Sequence, residues 1–162
     1  AGMPVVYGGG ATGCMGAMAD AALTAGARVV GVVPTGLFTA DEVHGGIELV
    51  EVGSLHERKQ VMLDRAEAFV VLPGGLGTLD ELGEVLTWAQ LGIHAKPTVL
   101  VDPEGYWRPL VEWVDHAVLR GYVSVPARDF LLTVRGAADV LPAVRAFVAP
   151  AATRGPLMLD QT

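Results

Sequence analysis

Ala68-Phe69-Val70-Val71-Leu72-Pro73-Gly74-Gly75-Leu76-Gly77-Thr78-Leu79-Asp80-Glu81 runs from a short apolar segment through a glycine turn into a helical pattern. An apolar strand, a glycine turn and a helix start together describe a cradle for a nucleotide phosphate. Glycines let the backbone approach an anion closely, and the first N–H groups of the helix point at it with the positive end of the dipole. Glu81 sets this loop apart from a generic phosphate site. A carboxylate there would repel a phosphate, so its use lies beside the phosphate, at a sugar. The same letters also fit a capping box, with Thr78 capping the helix and Glu81 reaching back.

The strand-turn-helix pattern repeats on both sides of this stretch. Downstream, helical spacing continues over 82–91, with Trp88 and Leu91 three apart on a core or subunit-contact face. Lys96-Pro97 turns the chain into a strand at 98–101, and Asp102-Pro103-Glu104-Gly105 is a turn. Residues 106–120 read as an amphipathic helix ended by Gly121. A last strand at 130–134 and a last helix at 137–148 follow. Upstream, 3–7 is a buried strand running into Gly8-Gly9-Gly10, 15–25 a helix stopped by Gly26, and 28–33 the next strand. A polar loop over 35–46 carries Asp41, Glu42 and His44 and is long enough to act as a lid or a partner contact. Residues 47–52 form a short strand. Ser54-Leu55-His56-Glu57 is a second capping box, opening a helix that runs to 64 or 65.

About five alternations of strand and helix predict an α/β fold. It is expected to be one doubly wound, Rossmann-like parallel sheet flanked by helices, a single nucleotide-binding domain over 1–148 with its ligand at the carboxyl ends of the strands. Residues 149–162, dominated by proline and small side chains, are expected to form a flexible tail. The first element is already a strand entering a glycine turn, so a preceding strand-helix unit is expected to be missing.

Composition narrows the function classes. Of 162 residues 51% are apolar and 21 are glycine, which suits one α/β domain with many strand-to-helix turns. No apolar run reaches the ~20 residues a membrane span needs. A net charge of −7 argues against a nucleic-acid surface but not against a single nucleotide, which a few amides and one or two cations can hold. One cysteine, Cys14, leaves no internal disulfide, and the four histidines show no metal-ligand spacing, so no metal site is expected. These features fit a reducing cytoplasm.

Two further groups bear on chemistry. Gly8, Gly10 and Gly13 match the dinucleotide spacing G-x-G-x-x-G, yet the strand at 28–33 runs into Pro34-Thr35-Gly36 without the acidic residue that binds a ribose 2′-hydroxyl. The glycines are therefore read as a second wall of a mononucleotide pocket. Arg58 and Lys59 fall in the first two turns of their helix, where positive charge opposes the macrodipole. They are either solvated surface charge or, for Arg58, a forked guanidinium turned inward to an anionic substrate.

Taken together, Val6-Tyr7-Gly8-Gly9-Gly10, Gly31-Val32-Val33-Pro34, Glu57-Arg58-Lys59, the Pro73 to Glu81 loop and Thr87-Trp88-Ala89-Gln90-Leu91-Gly92-Ile93-His94 resemble the LOG ("lonely guy") family. These are phosphoribohydrolases that activate cytokinins, long mislabelled lysine decarboxylases. The resemblance runs from residue 3 to about 148. It implies hydrolysis of the N-glycosidic bond of a cytokinin riboside 5′-monophosphate, with AMP as an additional substrate and no metal or organic cofactor. It also implies a homodimer or an assembly of dimers. Arg58 and Glu81 match the family's catalytic pair and Lys59 a substrate-binding neighbour. Gly74, Gly75, Gly77 and Thr78 match its phosphate loop, and Gly9, Gly10, Asp80 and Thr87 complete the expected substrate-binding set. Where many members carry Pro-Arg-Glu, this chain has Thr39-Ala40-Asp41, which leaves Glu42 as a substitute for a contact by Asp41. Cys14 stands at a usually apolar position and is expected to be a small buried filler rather than a nucleophile.

Breaking the bond between a purine and ribose builds positive charge at C1′ and negative charge on the departing base. Glu81 is expected to hydrogen-bond the ribose hydroxyls, stabilise that positive charge and orient water. Backbone amides of residues 75–78 would hold the 5′-phosphate, and Arg58 would hold the nucleotide and offset the negative charge. The alternative is a nucleotide-binding or carrier module of the same fold without hydrolysis, since fold alone does not decide function. A pyridoxal-phosphate lysine decarboxylase has less to build on. Lys59 is the only lysine within a motif, and Lys96 lies before a proline.

Overall fold

The computed structural model describes residues 2–36 and 39–150. They form an α/β fold of Rossmann type, with strands that pair in parallel and alternate with helices. The chain divides into two units at Ala66 and Glu67.

The first unit holds β1 (Val5–Tyr7), α1 (Gly13–Thr24), β2 (Val29–Pro34), a 3-10 turn (Ala40–Glu42), β3 (Glu48–Val52) and α2 (Leu55–Arg65). Its sheet has the order β1-β2-β3. Every residue of β2 is buried, as expected for the middle strand of a parallel sheet, which reads as an unbroken apolar run. Glycine at 31 allows the backbone to come close: a β-carbon there would lie 2.8 Å from the Gly9 Cα and overlap the end of Ile47. Helix α1 packs by small residues, with Ala19 fully buried against Tyr7 and Val29 and framed by Met18, Ala22 and Leu23.

The second unit holds β4 (Phe69–Val71), α3 (Leu76–Gln90), β5 (Thr98–Val101), α4 (Arg108–Leu119), α5 (Val125–Asp129), β6 (Leu131–Val134) and α6 (Ala137–Ala146). Its sheet has the order β4-β5-β6, with the fully buried β5 in the middle. Leu82, Leu100, Trp107, Val114 and Leu131 form one core cluster, and Val99, Val101 and Val140 another. Each such side chain, once fully buried, contributes roughly 1.5–3 kcal/mol of transfer free energy.

His94 locks the link from α3 to β5. It is buried beside Phe69 and Phe130, its Nε2–H donates to the Val85 carbonyl (2.9 Å), and its Nδ1 accepts the Lys96 N–H (3.1 Å). A carbonyl can only accept, so the ring is neutral with its proton on Nε2. Burial lowers its pKa and favours that state.

Several sequence expectations are corrected. Helix α3, expected to start behind a Thr78 cap, starts at Leu76 with Gly75 as its N-cap. The short helix α5 was not anticipated, although Ser124 caps it by accepting the Ala127 N–H (3.2 Å) and Pro126 sits in its first turn. Helix α6 stops at Ala146 instead of reaching 148, because Phe147 turns extended (φ −66°, ψ 128°). Cys14 is exposed in the first turn of α1, on the side away from the core, and is not a buried filler. The expected tail falls, from residue 151 on, outside the described residues, as do 37 and 38 of the expected loop. Among the described residues, no helix is long and apolar enough to cross a membrane.

Candidate active site

The turn after β4 differs from the capping box its letters suggest. The N-cap of α3 is Gly75, in extended conformation (φ −97°, ψ −150°), and no side chain caps the helix. Thr78 therefore falls on the third helical position, and Glu81 stands in the second turn, where it cannot close a capping box. Gly75, Leu76 and Gly77 are exposed, and a β-carbon on Gly75 or Gly77 would meet nothing within 4 Å among the described residues. The first helical N–H groups thus border open space, the arrangement in which a helix start receives an anion.

Gly74 is the crowded member of this turn. A β-carbon there would overlap the Thr78 hydroxyl and lie 2.9 Å from the Thr78 Cβ. The Gly74 carbonyl accepts a short hydrogen bond from the Tyr106 hydroxyl, at the start of the segment after β5. Tyr106 thus holds the loop from behind, a role sequence reasoning missed, because nothing local pairs a tyrosine with a glycine 32 residues away. Glu81 and Thr78 are half-buried and Asp80 is exposed. Thr87 is exposed, and its hydroxyl donates to the Gly83 carbonyl of its own helix (2.7 Å).

The turn after β1 is built in the opposite way. Gly8, Gly9 and Gly10 are all buried. The loop before β3 is stitched to them: the His44 N–H donates to the Gly9 carbonyl, the Ala11 N–H donates to the Glu42 carbonyl (both 2.9 Å), and Gly10 forms an antiparallel bridge with Val43. The Tyr7 hydroxyl donates to the Gly10 carbonyl (3.3 Å), and burial raises its pKa, keeping it a donor. Glu42 folds back on its own turn, accepting both the backbone N–H and the hydroxyl of Thr39 (2.8 and 2.9 Å). Those bonds hold its pKa low.

Helix α2 starts as expected. Ser54 Oγ accepts the Glu57 N–H (3.1 Å), but the Glu57 carboxylate returns to the Gly53 N–H (2.7 Å), one residue before the cap. Arg58, in the next turn, is half-buried and directed inward. Its Nε donates to the Val32 carbonyl of β2 (3.1 Å), and its guanidinium lies on the backbone of Gly8. Arg58 is therefore not a fully solvated surface charge. Lys59 beside it is also half-buried. Among the described residues, no group of three or more His, Cys, Asp or Glu side chains is placed to hold a metal ion.

Comparison with known proteins points to one family. A family model described as "Possible lysine decarboxylase" matches residues 15–144. A protein of Oryza sativa subsp. japonica named as a probable cytokinin riboside 5′-monophosphate phosphoribohydrolase is 44% identical over 150 residues, covering 92% of this chain and 61% of its own length. A cytokinin riboside 5′-monophosphate phosphoribohydrolase of Rhodococcoides fascians is 41% identical over 143 residues, 87% of this chain and 72% of its own. One from Arabidopsis thaliana is 40% identical over 145 residues, 89% of this chain and 68% of its own. The chain belongs to the LOG family. It spans 61% to 72% of the length of these relatives. Within a LOG-family chain, the open start of α3 and the inward Arg58 occupy the positions the sequence motifs single out.

Proposed function

We propose that this chain hydrolyses the N-glycosidic bond of cytokinin riboside 5′-monophosphates, and of AMP, to free base and ribose 5-phosphate. The observation that carries this reading is the uncapped, glycine-lined start of α3 in a chain whose relatives bear that activity in their names. Amides of residues 75–78 receive the 5′-phosphate, with Gly74, Gly75, Gly77 and Thr78 shaping the loop. Glu81, past the phosphate-binding turn, hydrogen-bonds the ribose, stabilises positive charge at C1′ and orients the attacking water. Arg58 holds the nucleotide and offsets negative charge as the base departs, with Lys59 as its neighbour. Gly9, Gly10, Asp80 and Thr87 complete the proposed set of substrate-binding positions. Preorganised charges of this kind are worth about 10²–10³ in turnover each.

The working form is proposed to be a cytoplasmic homodimer or an assembly of dimers, with neither nucleic acid nor membrane as partner. Exposed Leu76, Leu91 and Ile93 on and after α3 support a subunit contact. The deciding experiment is release of ribose 5-phosphate from AMP and from isopentenyladenosine 5′-monophosphate, by wild type and Glu81→Gln side by side. Release that collapses in a folded Glu81→Gln supports the hydrolase and places Glu81 in the chemistry. Bound but uncleaved nucleotide would leave a binding module in its place.

A further inference from the structure

The three consecutive glycines after β1 are glycine for three different reasons. Gly9 has φ +81°, a left-handed conformation that costs a non-glycine residue, and its β-carbon would overlap Val33. A β-carbon on Gly10 would run into the end of Met15. Gly8 is outside the left-handed region, so its backbone would accept alanine. Its β-carbon would instead overlap the Arg58 Nη2, lie 3.1 Å from the Arg58 Cζ, and meet Met15 Sδ at an ordinary 3.6 Å. The one thing excluded by a methyl group at position 8 is the guanidinium of Arg58.

We infer that Gly8 is a positioning residue for Arg58: its missing side chain is the seat in which the guanidinium rests at the carboxyl end of β1. Two contacts help to place the fork. Nε is tied to the Val32 carbonyl of β2, and the Nη2 end of the guanidinium lies against Gly8, just after the neighbouring β1. Arginine has several rotatable bonds and would otherwise sample many positions. A long cation fixed at two points loses less freedom when an anion arrives, so the entropy of ordering it is spent in folding. The arrangement also explains a basic residue in the first turns of α2, where the macrodipole opposes it. Because the obstructing atoms are the tip of a flexible side chain, Gly8→Ala should fold and should move Arg58 alone.

This inference rests on the proposed role of Arg58 for its effect on turnover, but the position of the guanidinium can be read without any substrate. The first measurement is therefore NMR of the arginine Nε–H groups. Wild type should show one slowly exchanging Nε–H resonance that disappears in Arg58→Lys. In Gly8→Ala that resonance should shift and exchange at least tenfold faster, at a melting temperature near that of wild type. The same resonance unchanged in a folded Gly8→Ala overturns the inference. The second measurement is a double-mutant cycle on AMP hydrolysis. Gly8→Ala should lower kcat/KM at least tenfold in the wild-type background and by less than twofold in an Arg58→Ala background. Equal losses in both backgrounds would mean that Gly8 acts through something other than Arg58. Should wild type leave AMP uncleaved, the hydrolase reading falls, and the resonance alone decides the seat.

Discussion

Two glycine turns follow two parallel strands in this chain, β1 and β4, and they do opposite things. After β1, the spaces beside the glycines are already filled, by Arg58 at Gly8, Val33 at Gly9 and Met15 at Gly10. After β4, Gly75 and Gly77 face nothing within 4 Å among the described residues, and Gly74 is crowded by Thr78 of the same turn. The first turn spends its glycines on packing and on seating a cation. The second leaves its helix start uncovered among the described residues, the room that the proposed phosphate site requires. A glycine-rich loop is thus not one device: what occupies the volume beside each Cα decides whether it is scaffold or receptor.

The contrast is most exposed to failure at Gly9. Gly9→Ala should destabilise by roughly 2–5 kcal/mol, combining a left-handed alanine with an overpacked Val33. Denaturant unfolding measures this, and a loss under 1 kcal/mol would mean that the first turn is not packed as described. Gly74→Ala comes next, at about 1–3 kcal/mol, because Thr78 must give way within its own helical turn. Tyr106→Phe should cost about 1 kcal/mol and raise the KM for AMP while leaving kcat within about twofold, since it loosens the phosphate loop without touching the bond that breaks. The smallest effect has the opposite sign. Gly77→Ala should stabilise α3 by about 0.5–1 kcal/mol, yet weaken AMP binding, because its methyl enters the space left for the anion. Stabilisation without loss of binding would show that the second turn's openness serves no ligand.

Much of the fold was legible because alternation of short apolar strands and helices leaves few topologies. The buried strands announced themselves as unbroken runs, Val29-Val30-Gly31-Val32-Val33 and Thr98-Val99-Leu100-Val101. Helix starts were read less well. The start at Ser54 was legible because its cap is a side chain. The start of α3 was misplaced because a glycine cap leaves no letter to read, whereas Thr78 offered a plausible one. At the site, residue types and spacing singled out Arg58, Glu81 and the loop glycines. The partners that hold two of these, Val32 and Gly8 for Arg58 and Tyr106 for Gly74, could not be inferred, since each lies 26 or more residues away along the chain.

Local chemistry therefore accounts for the parallel α/β architecture, the glycine turns at strand ends and the charged residues set beside them. Periodicity, turn chemistry and residue type act over a few neighbours, and a one-dimensional string carries them whole. Which turn is closed and which open, and which way Arg58 points, follow from side chains brought in from distant elements. Val33, Met15 and Arg58 close the first turn, while among the described residues no comparable side chain fills the space beside Gly75 and Gly77. Packing is a competition for volume among residues far apart in sequence, and its outcome exists only once the chain has folded.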